Sequence, residues 1–240
     1  MKTWPVMSPF SSSINVSRMQ SSSTLAAMQA AEALRAAGAV VVDFGAGVPD
    51  SDTPDNIKDA AAESMRLGRT KYTSTGGTRE FQKAIINFYQ REFQTEFQPS
   101  EVMGTCGGKH AIFNAIVTLL NPGDEALIPK PYWVTFPEIV VFAGAKPVFI
   151  ETEETDFVLT ADQVKESITP NTKLLILNSP SNPSGRVLPV SEFRKIMELT
   201  QDRGIYVISD ECYLRFVYSP GEVFSAASLP TELRSRLCIA

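Results

Sequence analysis

From residue 102 onward, short apolar runs typical of strands alternate with helical patterns, and this alternation constrains the fold more than any other feature. Strands are predicted at residues 102–105, 125–128, 147–151, 173–177 and 205–209, with helices at 109–120, 133–142, 161–167 and 190–203. The pattern predicts an α/β fold with a mostly parallel sheet covered by helices on both faces. Ligands bind such sheets beyond the carboxyl ends of the strands, so candidate functional residues are sought there.

The part of the chain before residue 102 has a different pattern. An irregular arm is expected at residues 1–19, and helices are predicted at 25–37, 55–67 and 79–93. A short apolar strand is predicted at residues 40–44, directly before a turn-rich loop. This region therefore contributes mainly helices.

Composition and charge exclude several classes of protein. The chain has 240 residues, of which 43% are apolar and 20% charged, so it can bury a core without disulfides. The formal net charge of -5 offers no basic field for nucleic acid or for a membrane surface, and neither is expected as a partner. No run has the length of a membrane span or the pattern of a signal peptide, so we expect a cytoplasmic protein.

Histidine and cysteine are too sparse for metal or triad chemistry. His110 is the only histidine, and Cys106, Cys212 and Cys238 lack the spacing of metal ligands. The odd number of cysteines, set in apolar runs, predicts reduced and buried thiols. No Gly-x-Ser-x-Gly elbow is present. We therefore expect neither a metal site nor a Ser-His-Asp hydrolase.

The first of three loops that follow predicted strands contains Gly107, Gly108 and Lys109. Two glycines before a helix can expose backbone N–H groups at the positive end of the helix dipole and so cradle a phosphate. A tight turn is the alternative, and Lys109 can equally be a solvated surface charge. The nucleotide P-loop pattern is excluded because Met103 and His110 stand where it requires Gly and Ser or Thr.

The second and third loops each carry one polar side chain in a constrained place. Pro180 and Pro183 flank Asn182 and restrict the backbone on either side of it, which suits either a ligand contact or an Asx-type turn. Asp210 ends the apolar run 205–209, where a carboxylate serves either as a cap or as a charge directed at a ligand. Taken singly, neither loop decides between these alternatives.

Taken together, the loops resemble one family, the fold-type I pyridoxal-phosphate-dependent aminotransferases of the class I/II, aspartate aminotransferase-like group. The resemblance runs through residues 44–50, 70–72, 107–109, 131–133, 178–185 and 209–213, in matching order and spacing. It implies the large domain of an aspartate aminotransferase-like transferase as the fold. It also implies pyridoxal 5'-phosphate (PLP) as the cofactor.

The resemblance implies a domain division as well. Residues 1–45 would form an N-terminal arm and part of a small domain, residues 46–240 an incomplete PLP-binding large domain, and the C-terminal part of the small domain would be absent. The lysine that forms the Schiff base would come just beyond Ala240, since no lysine follows Lys195. The chain as given is therefore expected to be inactive, as a truncated form of a normal enzyme.

Seven residues match the positions that hold the cofactor in this family. Asp210 would pair with the protonated pyridine nitrogen, and Asn182 and Tyr213 would hydrogen-bond the phenolic oxygen of the ring. Trp133 would stack on the ring, with a core tryptophan as the alternative. The backbone N–H groups of Gly108 and Lys109 would contact the phosphate. Tyr72 would contact the phosphate bound by a neighbouring subunit. This last contact implies a homodimer.

Four positions are implied to contact the substrate: Gly47, Trp133, Asn182 and Lys109. Gly47 would lie at the α-carboxylate, or be a simple turn glycine, and Lys109 could pair with the distal carboxylate of aspartate or glutamate. The implied reaction is transamination between such an amino acid and a 2-oxo acid, in amino-acid metabolism and biosynthesis. The alternatives are a PLP-dependent lyase on the same fold and a non-catalytic domain that binds PLP or a partner.

Overall fold

The computed structural model describes residues 11–20, 23–43, 45, 47, 51–218 and 223–240. The chain forms two compact units, which we call the helical unit, Ser21–Thr105, and the sheet unit, Met1–Gln20 with Cys106–Ala240. Within the ranges that the structure describes, no helix combines the length and the apolar character needed to cross a membrane.

Among the residues of the sheet unit that the structure describes, five strands form one parallel sheet. They are β1 Glu125–Pro129, β2 Lys146–Ile150, β3 Thr172–Asn178, β4 Tyr206–Asp210 and β5 Leu237–Ile239. Their order across the sheet is β2-β1-β3-β4-β5, and each neighbouring pair is parallel. This order confirms the predicted parallel α/β sheet.

One α-helix lies between each successive pair of strands from β1 to β4, and two further α-helices among the described residues of this unit precede β1. The sheet unit contains α1 Ile14–Ser17, α5 Gly108–Leu119, α6 Thr135–Phe142, α7 Ala161–Ser167 and α8 Val190–Asp202. Sequence patterns explain their bounds. The capping box of Thr160 and Gln163 starts α7, and α8 buries Phe193, Ile196, Met197 and Thr200 along one stripe at helical spacing.

The core has two layers, one on each face of the sheet. Alternate residues of β3 divide between them: Leu175 and Leu177 join one apolar cluster, and Leu174 and Ile176 join the other. The first cluster contains residues of α7 and α8, and the second contains residues of α5 and α6. Because neighbouring strand residues point to opposite faces, a continuous apolar run is what a sheet covered on both sides requires.

The helical unit contains α2 Ser23–Ala36, α3 Asp55–Arg66 and α4 Arg79–Phe93. These three helices were predicted within two residues at each end. Thr78 caps the N-terminus of α4, and its side chain accepts a hydrogen bond from the backbone N–H of Phe81. Capping residues and the spacing of apolar residues are the sequence signals that indicate where a helix of this kind lies.

Two predicted strands are wrong. Residues 40–43 and 102–105 have no strand assignment, and Phe44 lies outside the described residues. The side chain of Val40 is fully exposed, and the carbonyl of Val102 accepts a hydrogen bond from the Gln82 side chain at 2.7 Å. An apolar run becomes a strand only where a neighbouring strand pairs with it, and no described segment does so here.

The cysteine prediction is partly wrong. All three thiols are free, as expected, but Cys106 and Cys212 are exposed and Cys238 is half-buried. Cys106 and Cys212 lie in loops, outside the two apolar clusters. An apolar sequence neighbourhood therefore did not place them in the core.

Candidate active site

The loop before α5 is shaped by a glycine. Gly107 has φ of +83°, a left-handed conformation that favours glycine, and it is the N-cap of α5 without a side-chain cap. Its carbonyl accepts hydrogen bonds from the N–H groups of His110 and Ala111 at 3.1 and 3.3 Å. No described residue accepts from the N–H groups of Gly108 or Lys109, which lie at the positive end of the helix dipole.

Lys109 and Trp133 are in contact. The ammonium nitrogen of Lys109 lies 4.9 Å from the centroid of the Trp133 ring, a cation–π contact. Trp133 is half-buried, packs on the core and meets Phe136 edge-on at 5.4 Å. Since Trp133 follows the carboxyl end of β1, this contact also brings Lys109 to that edge of the sheet.

Asn182 is tied to the sheet through Asn178. The backbone N–H of Asn182 donates to Oδ1 of Asn178 at 2.7 Å, and the amide group of Asn178 donates to the backbone carbonyl of Asp210 at 3.1 Å. The side-chain amide of Asn182 has no hydrogen-bond partner among the described residues, so the Asx-type turn is not formed there. Asn178 was not predicted as a site residue, although its position at the end of a buried strand could have indicated it.

Asp210 ends β4 and is 4% exposed. Burial raises the pKa of its carboxyl group, and the hydrogen bond that Oδ1 accepts from the Cys212 N–H at 3.2 Å opposes this rise. No lysine or arginine among the described residues pairs with Asp210. The sheet therefore presents a buried carboxyl group without a cationic partner at its carboxyl edge.

Cys212 and Tyr213 lie in the turn after Asp210. Burial raises the pKa of the Cys212 thiol to about 12, and the neighbouring Asp210 charge adds to this rise. Such a thiol stays protonated and is a poor nucleophile. Tyr213 is 37% exposed, and its ring meets that of Phe216 at 6.1 Å between centroids.

Glu211 is a second buried carboxyl group, and it was not predicted as a functional residue. Its Oε1 accepts hydrogen bonds from the Ser209 hydroxyl at 3.0 Å and from the Ala226 N–H at 2.8 Å. Its Oε2 has no partner among the described residues. Burial is the main cause that raises the pKa of Glu211. This side chain links the two ends of the loop that carries Tyr213.

The two remaining predicted residues lie in the helical unit. Tyr72 is fully exposed there, and a Cβ added at Gly47 would meet nothing within 4 Å, so Gly47 has open space beside it. The sheet unit brings together Lys109 with Trp133, and Asp210 with Asn182 through Asn178. The other two predicted residues of this unit are Gly108, the first residue of α5, and Tyr213, in the turn after β4.

A small pocket with a volume of about 50 Å³ opens beside these loops. It is lined by Tyr132, Phe157, Asn178, Asn182, Arg186 and neighbouring residues. It includes Asn182 but not Gly108, Lys109, Trp133, Asp210 or Tyr213. Asn182 is thus the one predicted site residue that lines this pocket.

The arrangement offers three kinds of contact to a ligand. Unpaired N–H groups at a helix N-terminus bind anions, an indole face stacks on a planar ring, and a buried carboxyl group favours a cationic partner. Within the described residues, no three His, Cys, Asp or Glu side chains are grouped so as to hold a metal ion. The site therefore suits a planar, anionic molecule with a basic nitrogen.

Known proteins are similar to this chain in sequence and in fold. The family model for "Aminotransferase class I and II" matches residues 39–237. The aspartate aminotransferase of Bacillus sp. strain YM-2 is 41% identical over 93% of this chain and 57% of its own length. A probable aspartate/prephenate aminotransferase of Aquifex aeolicus is 42% identical over 92% of this chain and 56% of its own length.

Solved structures agree with these relatives. The aspartate aminotransferase from Thermus thermophilus, solved with maleate, superposes with a TM-score of 0.90 at 37% identity, over 96% of this chain and 59% of the solved chain. The present chain thus spans a little over half the length of the curated relatives that it matches. Because the family model covers most of the chain, this protein belongs to the class I and II aminotransferase family.

Proposed function

We propose that the full-length protein is a PLP-dependent aminotransferase that transfers the amino group of an aspartate- or glutamate-type amino acid to a 2-oxo acid. The observation that carries this proposal is the buried Asp210 carboxyl group, held at the carboxyl edge of the sheet beside the Asn178–Asn182 loop. Family membership supports it, and so do the names of relatives, which include aspartate aminotransferase and aspartate/prephenate aminotransferase.

The residues of the sheet unit fit PLP. Asp210 is a desolvated carboxyl group without a cationic partner, and the protonated ring nitrogen of PLP would supply that partner. The N–H groups of Gly108 and Lys109 would hold the phosphate. The space beside Gly108 is open, since a Cβ added there would meet no atom within 4 Å. When bound, PLP supplies an electron sink for bond cleavage at the substrate Cα.

The other cofactor contacts follow the same assignment. Asn182 and Tyr213 would donate hydrogen bonds to the phenolic oxygen of the ring, and the Asn182 amide has no competing partner among the described residues. Trp133 would stack on the ring and orient it. Tyr72, fully exposed in the helical unit, would reach the phosphate of a second copy, so we propose a homodimer.

Substrate choice is assigned to four residues, Gly47, Trp133, Asn182 and Lys109. Lys109 would pair with the distal carboxylate of the substrate, exchanging its contact with the indole ring for an ion pair. Gly47 would leave room for the α-carboxylate side. We also keep the domain division proposed above, with residues 1–45 as arm and small-domain part and residues 46–240 as large domain.

A substitution tests the role of Lys109. In the full-length enzyme, Lys109→Ala should reduce kcat/KM for aspartate by about tenfold to a hundredfold while leaving neutral amino acids nearly unchanged, because only the acidic substrate loses an ion pair. Lys165→Ala, an exposed lysine on α7, is the matched control. Equal losses for acidic and neutral substrates would refute the assignment.

The function as a whole is tested on the protein from its natural source. The protein is incubated with PLP and reduced with borohydride, and its intact mass is measured by mass spectrometry. In a separate assay, the products that it forms from aspartate and 2-oxoglutarate are measured. One phosphopyridoxyl adduct and an oxo acid formed in equal amount with glutamate are expected. An adduct with product formation that needs no acceptor would indicate a lyase, and a protein of 26.3 kDa without adduct would indicate a non-catalytic domain.

A further inference from the structure

His110 makes a hydrogen bond inside the loop that precedes α5. Its Nδ1 atom accepts from the backbone N–H of Cys106 at 3.2 Å, four residues back in the chain. The imidazole therefore has its proton on Nε2, because a nitrogen that accepts a hydrogen bond carries no proton. His110 is the only histidine of the chain, and no role in the proposed reaction requires it.

This bond determines which backbone donors of the loop are left for a ligand. The N–H groups of His110 and Ala111 donate to the Gly107 carbonyl, and the N–H of Cys106 donates to the His110 ring. Of the N–H groups of Cys106 and the first turn of α5, those of Gly108 and Lys109 have no acceptor among the described residues. The donors that remain are the two assigned to the phosphate.

We propose that His110 is a positioning residue for phosphate binding, which deepens the proposed function and rests on it. By holding the Cys106 N–H, its ring adds a hydrogen bond across the turn at Gly107, where the backbone is left-handed, to those that the Gly107 carbonyl already accepts. A turn that is already ordered costs less conformational entropy when the anion binds. The role is preorganisation of the loop, without contact between His110 and the reacting atoms.

The test compares PLP with pyridoxal, which lacks the phosphate, on the purified chain by equilibrium dialysis. His110→Ala should weaken PLP binding roughly threefold to tenfold, the range expected for one lost hydrogen bond, and leave pyridoxal binding unchanged. His110→Asn should restore PLP binding to within about twofold, because its Oδ1 stands where Nδ1 stands in histidine. Thermal unfolding of each variant shows whether the fold is intact.

A second readout is independent of the cofactor. In the ligand-free chain, the amide hydrogen of Cys106 should exchange with solvent more slowly in the wild type and in His110→Asn than in His110→Ala. Equal losses of PLP and pyridoxal affinity in His110→Ala, or no rescue by His110→Asn, would overturn the positioning role. A wild-type chain that shows slow Cys106 exchange but binds no PLP would instead overturn the proposed function, and the role of His110 with it.

Discussion

Asn178 and Asp210 are register partners at the ends of β3 and β4, and the side-chain amide of Asn178 donates to the Asp210 carbonyl at 3.1 Å. The same side chain accepts the N–H of Asn182 through its Oδ1 at 2.7 Å. One side chain thus connects the strand that presents the buried carboxyl group with the loop that presents the free amide. The geometry of the candidate site depends on this connection.

Removing this connection should weaken both stability and ligand binding. Asn178→Ala loses two hydrogen bonds and leaves the Asn182 N–H without its acceptor, which costs about 1–3 kcal/mol in the free energy of unfolding. PLP affinity should fall with it, because Asn182 is no longer held. Urea unfolding and a PLP titration measure the two effects. Asn171→Ala, at an exposed asparagine, is the control, and equal behaviour of the two variants would contradict the account.

The buried Glu211 should make stability depend on pH. Its folded-state pKa is raised above the ordinary 4.5, so its contribution is fully present below that value and is lost as the pH rises through the raised folded pKa. Glu211→Gln cannot ionise and should not show this loss. The stability of the wild type relative to Glu211→Gln should therefore fall as the pH rises.

Urea unfolding at several values between about pH 4 and pH 8 measures this difference. Effects of the neighbouring Asp210, whose pKa is also raised by burial, occur in both proteins and largely cancel. Glu232→Gln, at an exposed glutamate, should show no such trend. A difference between wild type and Glu211→Gln that stays constant with pH would show that Glu211 is not desolvated in the folded chain.

Glu125 should have the opposite pH dependence. It is buried at the start of β1, hydrogen-bonded to the Thr169 hydroxyl and 3.0 Å from the ammonium of Lys146. Thr169 first, and then Lys146, lower its pKa below the ordinary 4.5. Its stabilising contribution is therefore present above pH 4.5 and lost as the pH falls through the lowered folded pKa.

Substitution of Glu125 tests this ion pair. Glu125→Gln should lower the free energy of unfolding at neutral pH by about 1–2 kcal/mol, since hydrogen bonds to a charged acceptor become neutral ones. Urea unfolding at neutral and acidic pH measures the change, with the exposed Glu154→Gln as control. A deficit that does not shrink at low pH would contradict the assignment.

The parallel sheet was predictable because its strands are buried on both faces. Leu174, Leu175, Ile176 and Leu177 form an unbroken apolar run, which few other structures can accommodate. The runs at residues 40–44 and 102–105 look similar in sequence, but strand formation there depends on a partner that local sequence does not encode. Non-local pairing therefore limited the fold prediction.

The sequence motifs predicted the positions of Asp210, at the end of a strand, and of the Gly107-Gly108 turn, before a helix, and the roles of these residues toward a ligand stay predictions. The contacts of the supporting residues were not predicted. Asn178 forms hydrogen bonds with groups 4 and 32 residues away in the chain, and Glu211 forms one with a group 15 residues away. The long-range contacts follow from tertiary packing, and the contact of His110 with Cys106 depends on the orientation of the ring, so a sequence motif shows the residue but not its partner.

We propose that the sheet unit binds PLP through Asp210, and a PLP titration of the purified chain tests this binding most directly. We predict saturable binding of one PLP per chain, weakened roughly tenfold or more by Asp210→Asn, which removes a charge-assisted hydrogen bond without changing shape. The exposed Asp202→Asn should bind like the wild type. Binding that does not saturate, or Asp210→Asn binding as tightly as the wild type, would contradict the account.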